Sequence, residues 1–288
     1  MSHRLFRLTE QILAHPQLIT AEAMAPIAQY LVNRTLDPSL MKNVEEDEKR
    51  KKNKSDEEDN DEDDVDMLDN VAFISVEGAL SYKPIYTLCG EVGTSYVRLI
   101  EQTQEAIEAG AKEIVYSFSS PGGAAMACFT SANEVRQLAD EAGVKLTAWI
   151  DEGAHSAAYA WACMMDEVVS SPDASVGSIG CIVAMLDDSK FMEKEGFRRV
   201  IITSLDGKSP FNEDGSFSDK FLAKVKEDVD RLGLQFAQHV SHYTGLDVEA
   251  ILALDAQSFH AEKALEVGLV NKVMTPREFL DYVRSNNA

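Results

Sequence analysis

Apolar and polar positions along most of the chain follow two alternating periods. Short runs rich in β-branched and aromatic residues read as strands. They fall at 71–80, closing on Gly78, and at 113–118, 144–150 and 167–170. Between them lie segments with apolar residues three or four positions apart, which read as helices. One begins at 95 and runs through Ile107 and Ala111, one covers 127–141, and one of small residues follows Ser156. Strand and helix alternating at this spacing predict an α/β domain with a largely parallel inner sheet. Active residues of such a sheet lie at the C-terminal ends of its strands.

Beyond 170 the pattern predicts a helix over 187–196, a strand over Arg198–Thr203 and a turn at 204–210. A long amphipathic helix over 218–243 follows, then helices near 247–253 and 261–267, a strand at Leu269–Val273 and a terminal helix. At the other end, residues 4–34 read as helix in pieces. His15-Pro16 breaks the run, and Thr20 reopens it as an N-cap. Residues 1–43 are thus expected to form a helical arm, packed on the main domain or on a neighbouring subunit. Residues 44–69 are a charge run that buries too little apolar surface to fold, and they are expected to be a disordered tether. Residues 70–288 form the folded domain.

The chain has 288 residues, 45 % of them hydrophobic, and a net charge of −22. Within 45–69 there are 14 acidic and 5 basic residues, so this segment supplies −9 of that charge. The acidic balance excludes an extended phosphate-binding surface, so no nucleic-acid partner is expected. Cys89, Cys128, Cys163 and Cys181 form no Cys-x-x-Cys pair and have no accompanying His cluster. Neither a metal nor a cofactor is expected, and free thiols in a reducing compartment are. No run of about 18 apolar residues occurs, and the N-terminus lacks the apolar core of a secretory signal. The expectation is a cytoplasmic protein without a membrane partner.

Candidate chemistry gathers at three turns. Ser156 sits where the 144–150 strand, after a short turn at 151–155, hands over to a helix. There it is either an N-cap or a nucleophile. His155 is adjacent, but neighbouring side chains diverge, so it is not the expected base. Pro121-Gly122-Gly123 ends a strand, and its glycines let backbone N–H groups approach a ligand; it is half an oxyanion hole or a plain turn. Lys208 lies in a turn after a strand, either as a solvated lysine or as a base whose burial keeps it neutral. Lys190 and Lys194 fall on a predicted amphipathic helix and read as solvated.

Taken in order, Gly78, Ser119-Ser120-Pro121-Gly122-Gly123, His155-Ser156-Ala157-Ala158-Tyr159, Ala174–Gly180, Lys208 and Ala264–Val270 resemble the signal peptide peptidase A (SppA) family of serine peptidases. The resemblance implies a ClpP/crotonase-like fold of repeated strand–helix units. It implies Ser156 as nucleophile, Lys208 as general base, the N–H groups of Gly123 and Ala157 as oxyanion hole, and Ser178 as the residue orienting the lysine. The turn around Lys208 lacks the second basic residue and the Asp-Gly-Asn-Pro that phage-type relatives often carry. The N-terminal arm resembles the phage branch, whose members mature heads by cutting scaffold, portal or capsid proteins. The resemblance further implies a homo-oligomeric ring with sites shared between subunits. Three competing readings remain: a soluble bacterial relative, a crotonase-type acyl-CoA enzyme, and a non-catalytic capsid assembly factor.

Overall fold

The computed structural model describes residues 16–24, 65–87 and 90–287. Most of the predicted helical arm and all but the end of the acidic tether lie outside the described residues, as does Cys89. What is described of the arm is a three-residue strand, β1 (Gln17–Ile19), and a helical turn at 21–24. Thr20 caps that turn, accepting the Ala23 N–H at 3.2 Å. The sequence pattern predicts the cap but not the strand.

From residue 66 the elements run β2 (Asp66–Leu68), β3 (Val71–Glu77), β4 (Leu80–Ser81), β5 (Tyr86–Thr87), β6 (Gly90–Glu91), β7 (Thr94–Ser95) and helix α1 (Tyr96–Glu108). Next come β8 (Glu113–Ser120), β9 (Gly122–Ala124), α2 (Cys128–Ala142), β10 (Lys145–His155), α3 (Ala157–Ala162), β11 (Glu167–Ser170) and β12 (Ser175–Gly177). The chain closes with α4 (Ser189–Lys194), α5 (Asp219–Thr244), α6 (Val248–Leu252), β13 (Ser258–His260), α7 (Ala261–Glu266), β14 (Lys272–Val273) and α8 (Pro276–Asn286).

The main sheet has the order β13-β12-β10-β8-β3-β2, with β11 joined to β10 and β14 to β11. Its inner pairs, β3·β8, β8·β10, β10·β11 and β10·β12, are parallel. This is the α/β architecture that the alternating pattern predicts. The central strands are nearly continuous in apolar residues because both faces are covered. Ile114, Tyr116, Leu146 and Ala148 point into the larger core under α1, α2 and α3. Val71, Val115, Trp149 and Val169 point to the other face, against Phe279 and Val283 of α8. Trp149 and Phe279 stack with ring centroids 4.4 Å apart.

Two expectations are corrected. Residues 151–155 are not a turn: β10 continues through them to His155. Its register against β8 slips between Ile150 and Gly153, and Asp151 and Glu152 are exposed there. The bend lets β11 pair with the first half of β10 and β12 with the second. The run Arg198–Thr203 is not a strand. Its β-branched residues have strand propensity, but the run pairs with no strand among the described residues, and Ile202 is 93 % exposed.

A second, small sheet of order β1-β9-β4-β7 lies over the C-terminal ends of the main strands. β9 pairs with β4 on one side and β1 on the other. That sheet and the β10–α3 junction frame the candidate site.

Candidate active site

β10 delivers Ser156 to the C-terminal end of the sheet with φ +53° and ψ −117°, a conformation rare outside glycine. Backbone bonds on both sides hold it there. The Ser156 N–H donates to the Gly177 carbonyl at 2.8 Å, and its carbonyl accepts the Ala160 N–H at 3.0 Å. As the residue preceding α3 it could cap that helix, yet its side chain makes no capping bond. The hydroxyl instead faces the Gly180 carbonyl at a long 3.4 Å. Backbone strain is thus maintained around a hydroxyl that the helix does not use.

α3 is Ala-Ala-Tyr-Ala-Trp-Ala and wholly buried. Its small residues let it pass close under β9, and its large ones anchor it. Tyr159 donates to the Leu269 carbonyl at 2.9 Å, and Trp161 stacks on Tyr96 at 5.6 Å. His239 of α5 pairs with the Ala160 carbonyl at 2.8 Å. Ala157 is the first residue of α3, so its N–H has no acceptor within the helix.

Gly122 and Gly123 stand opposite. Ser120 Oγ donates to the Gly78 carbonyl at 2.6 Å and accepts the Gly122 N–H at 3.2 Å, fixing the turn into β9. Gly122 has φ +97°, and a methyl on it would lie 3.0 Å from Ser156 Cβ. A methyl on Gly123 would lie 2.0 Å from the Leu80 carbonyl oxygen. Only glycines allow β9 to pass this close to its neighbours. Tyr96 holds the next residue by donating to the Ala124 carbonyl at 2.6 Å. The sequence gives no hint of this role, since Tyr96 reads there only as an apolar helix position.

Gly123, Ser156 and Ala157 therefore converge, with Gly122 as the contact. Ser178 follows the Gly177 that accepts the Ser156 N–H. It is half-buried with φ +53° and donates its own N–H to the Gln257 carbonyl at 2.9 Å. No hydrogen bond joins Lys208 to Ser156 among the described residues. Lys208 is exposed on a short 3-10 turn, Asp206–Lys208, and lines a cavity of about 570 Å³ with Pro16, Val183, Leu186 and Phe217. Lys190 and Lys194 are exposed on α4.

His155 turns away from Ser156, and its Nε2 meets Ser175 Oγ at 3.0 Å. Burial pushes its pKa below the ordinary value, against a hydrogen bond to the Ser120 backbone and the charge of Glu22. Burial raises the Cys128 thiol to about 12, in the core beside Tyr96, so it is not a nucleophile. Among the described residues no cluster of three His, Cys, Asp or Glu could hold a metal, and no helix is long and apolar enough to cross a membrane.

Residues 139–286 match Peptidase family S49. The probable protease SohB of Haemophilus influenzae is 26 % identical over 202 residues, covering 68 % of this chain and 56 % of that protein. The capsid assembly protease C of Escherichia phage lambda is 24 % identical over 219 residues, covering 76 % and 49 %. The head-tail preconnector protein GP5 of Enterobacteria phage P21 is 25 % identical over 186 residues, covering 63 % and 36 %. The chain thus spans about half the length, or less, of these curated relatives.

Proposed function

The chain belongs to peptidase family S49, and on that premise we propose that it is a serine endopeptidase working by acyl transfer. Ser156 Oγ attacks the peptide carbonyl, and neutral Lys208 takes its proton and passes it to the leaving amine. The N–H groups of Gly123 and Ala157 hold the oxyanion, and water releases the acyl-enzyme. Ser178 orients the lysine. The observation that carries this reading is Ser156 itself, strained, at a strand end, with a hydroxyl that its helix leaves unused.

The lysine reaches the serine of a neighbouring copy. Its turn follows an apolar stretch in which Phe197 is 64 %, Val200 69 % and Leu205 70 % exposed. A second copy of the chain would cover that surface. In this reading the substrates are phage scaffold, portal or capsid proteins, supported by the two phage relatives. The Haemophilus relative supports a second setting, a bacterial peptidase of the SohB kind. Mass spectrometry of neighbouring gene products co-expressed with the intact or Ser156→Ala protein separates the two.

The mechanism predicts that Ser156→Ala and Lys208→Ala each lower peptide hydrolysis at least ~10³-fold. Mixing the two inactive proteins restores part of the activity, because a shared site then pairs an intact serine with an intact lysine. Two inactive proteins that stay inactive when mixed, while sedimenting together, would overturn the shared site.

A further inference from the structure

Ser156 has no exposed surface. A nucleophile that must meet an external peptide is covered in the single chain, and the cover has the form of a peptide. β1 lies antiparallel on β9, with Leu18 opposite Gly123 and Ile19 opposite Gly122. The flanking bonds run from Thr20 N–H to the Pro121 carbonyl at 3.1 Å and from Ala125 N–H to the Pro16 carbonyl at 3.4 Å. Hydrogen bonding alternates every second residue in an antiparallel pair, so Leu18 and Gly123 form the bonded pair between them. The Leu18 carbonyl therefore faces the Gly123 N–H, the group assigned above to the oxyanion. A methyl on Gly122 would lie 2.2 Å from the Leu18 carbonyl oxygen and 3.0 Å from Ser156 Cβ, so that carbonyl and the serine converge on one point.

The opposite edge of the segment is also paired. The Gln17 N–H donates to the Ile182 carbonyl, and the Gln17 carbonyl accepts the Ile182 N–H, both at 2.9 Å. Residues 16–20 thus fill a slot between β9 and residue 182, bonded on both sides, with the Leu18 side chain fully buried. An extended peptide poised for attack needs this same set of contacts.

We propose that Pro16–Thr20 is an internal pseudosubstrate. It occupies the peptide groove with Leu18 at the acyl position, closes the site to other chains until it is displaced, and marks the groove as one for extended peptides with an apolar residue there. The proposal rests on the assignment of Ser156 and Gly123 above, but its test does not require catalysis. In the full-length Ser156→Ala protein, a fluorescein-labelled peptide copying residues 16–20 binds weakly by anisotropy. Adding Leu18→Asp, which expels the internal strand, tightens binding roughly tenfold or more.

A second protein carries Gln17→Cys and Ile182→Cys, with Cys181→Ser to prevent mispairing. The Cα separation of a bonded antiparallel pair, about 5.5 Å, suits a disulfide. The oxidised form binds no peptide, and reduction restores the parent's affinity. Equal binding with and without Leu18→Asp, or an oxidised form that binds as well as the reduced one, overturns the proposal. If the peptide binds the Ser156→Ala/Leu18→Asp protein but a fluorophosphonate fails to label Ser156 in a protein carrying Leu18→Asp alone, the catalytic reading fails and the groove assignment stands.

Discussion

The two ends of the parallel sheet are built by opposite means. At the N-terminal ends of the strands, charged side chains are buried and paired. Glu113, 2 % exposed, accepts from Lys145 Nζ at 3.0 Å, from Asn287 Nδ2 at 2.6 Å and from the Thr147 hydroxyl. Glu167 meets Lys272 and the Tyr282 hydroxyl. α8, fixed by a capping box at Thr275 and Glu278, seals this end. At the C-terminal ends charge gives way to backbone. Gly78, Gly122, Ser156, Gly177 and Ser178 all have positive φ, and main-chain bonds hold them. Side-chain pairs close one end. At the other, strained backbone gathers the Ser156 hydroxyl and the Gly122-Gly123 turn around the slot that residues 16–20 fill.

The largest effect that breaks this comparison comes from Gly123→Ala. Its new methyl would stand 2.0 Å from the Leu80 carbonyl oxygen and 2.5 Å from the Leu80 nitrogen, both backbone atoms that cannot rotate away. β4 and β9 must separate. The expected cost is about 3 kcal/mol of stability in urea denaturation, together with loss of peptide hydrolysis. A variant that keeps both would show that β9 is not held by its neighbours.

Lys145→Met should act in the opposite sense on function. It leaves the buried Glu113 carboxylate with Thr147 and Asn287 as donors but without its cation. Stability falls by about 1–3 kcal/mol, while kcat and KM of the residual folded protein stay unchanged. A change in kcat would mean that the far end of the sheet is coupled to the site.

Much of this contrast is legible in the sequence. Strand and helix periods predict the sheet, and a strand running into small residues predicts the junction that carries Ser156. Pro121-Gly122-Gly123 predicts a close backbone approach, which Leu80 and Ser156 now explain. What is not legible depends on partners distant in the chain or outside it. Gln17–Ile19 is too short to read as a strand and exists because β9, a hundred residues later, offers an edge. Arg198–Thr203 reads as a strand because its side chains suit one, but it pairs with no strand among the described residues. Asp151-Glu152-Gly153 reads as a turn because a strand that slips register exposes polar residues as a turn does. Lys208 lies on an exposed turn with no hydrogen bond to Ser156 among the described residues, so spacing along the chain gives no measure of their relation.

Acid titration sharpens the comparison with the smallest effects, because the two ends lose stability in separate steps. Burial lowers the pKa of His155, beside the site, and of His239, under α3, below their ordinary 6.5. Below that value the unfolded chain binds protons that the folded chain refuses, so stability falls as the pH drops from 6.5 toward the folded pKa values. At the other end, burial raises the pKa of Glu167, but its hydrogen bonds to Lys272 and Tyr282 outweigh burial and hold it below the ordinary 4.5. Its contribution is intact above that value and is lost as the pH falls through the lowered pKa. Urea midpoints followed downward from neutral pH should therefore decline twice. Replacing both histidines by Asn should remove the first decline and leave the second, and Glu167→Gln should shrink the second, which Asp187, Asp214 and Glu278 share, without touching the first. A single decline that both sets of variants reduce alike would show that the two ends do not titrate as separate structures.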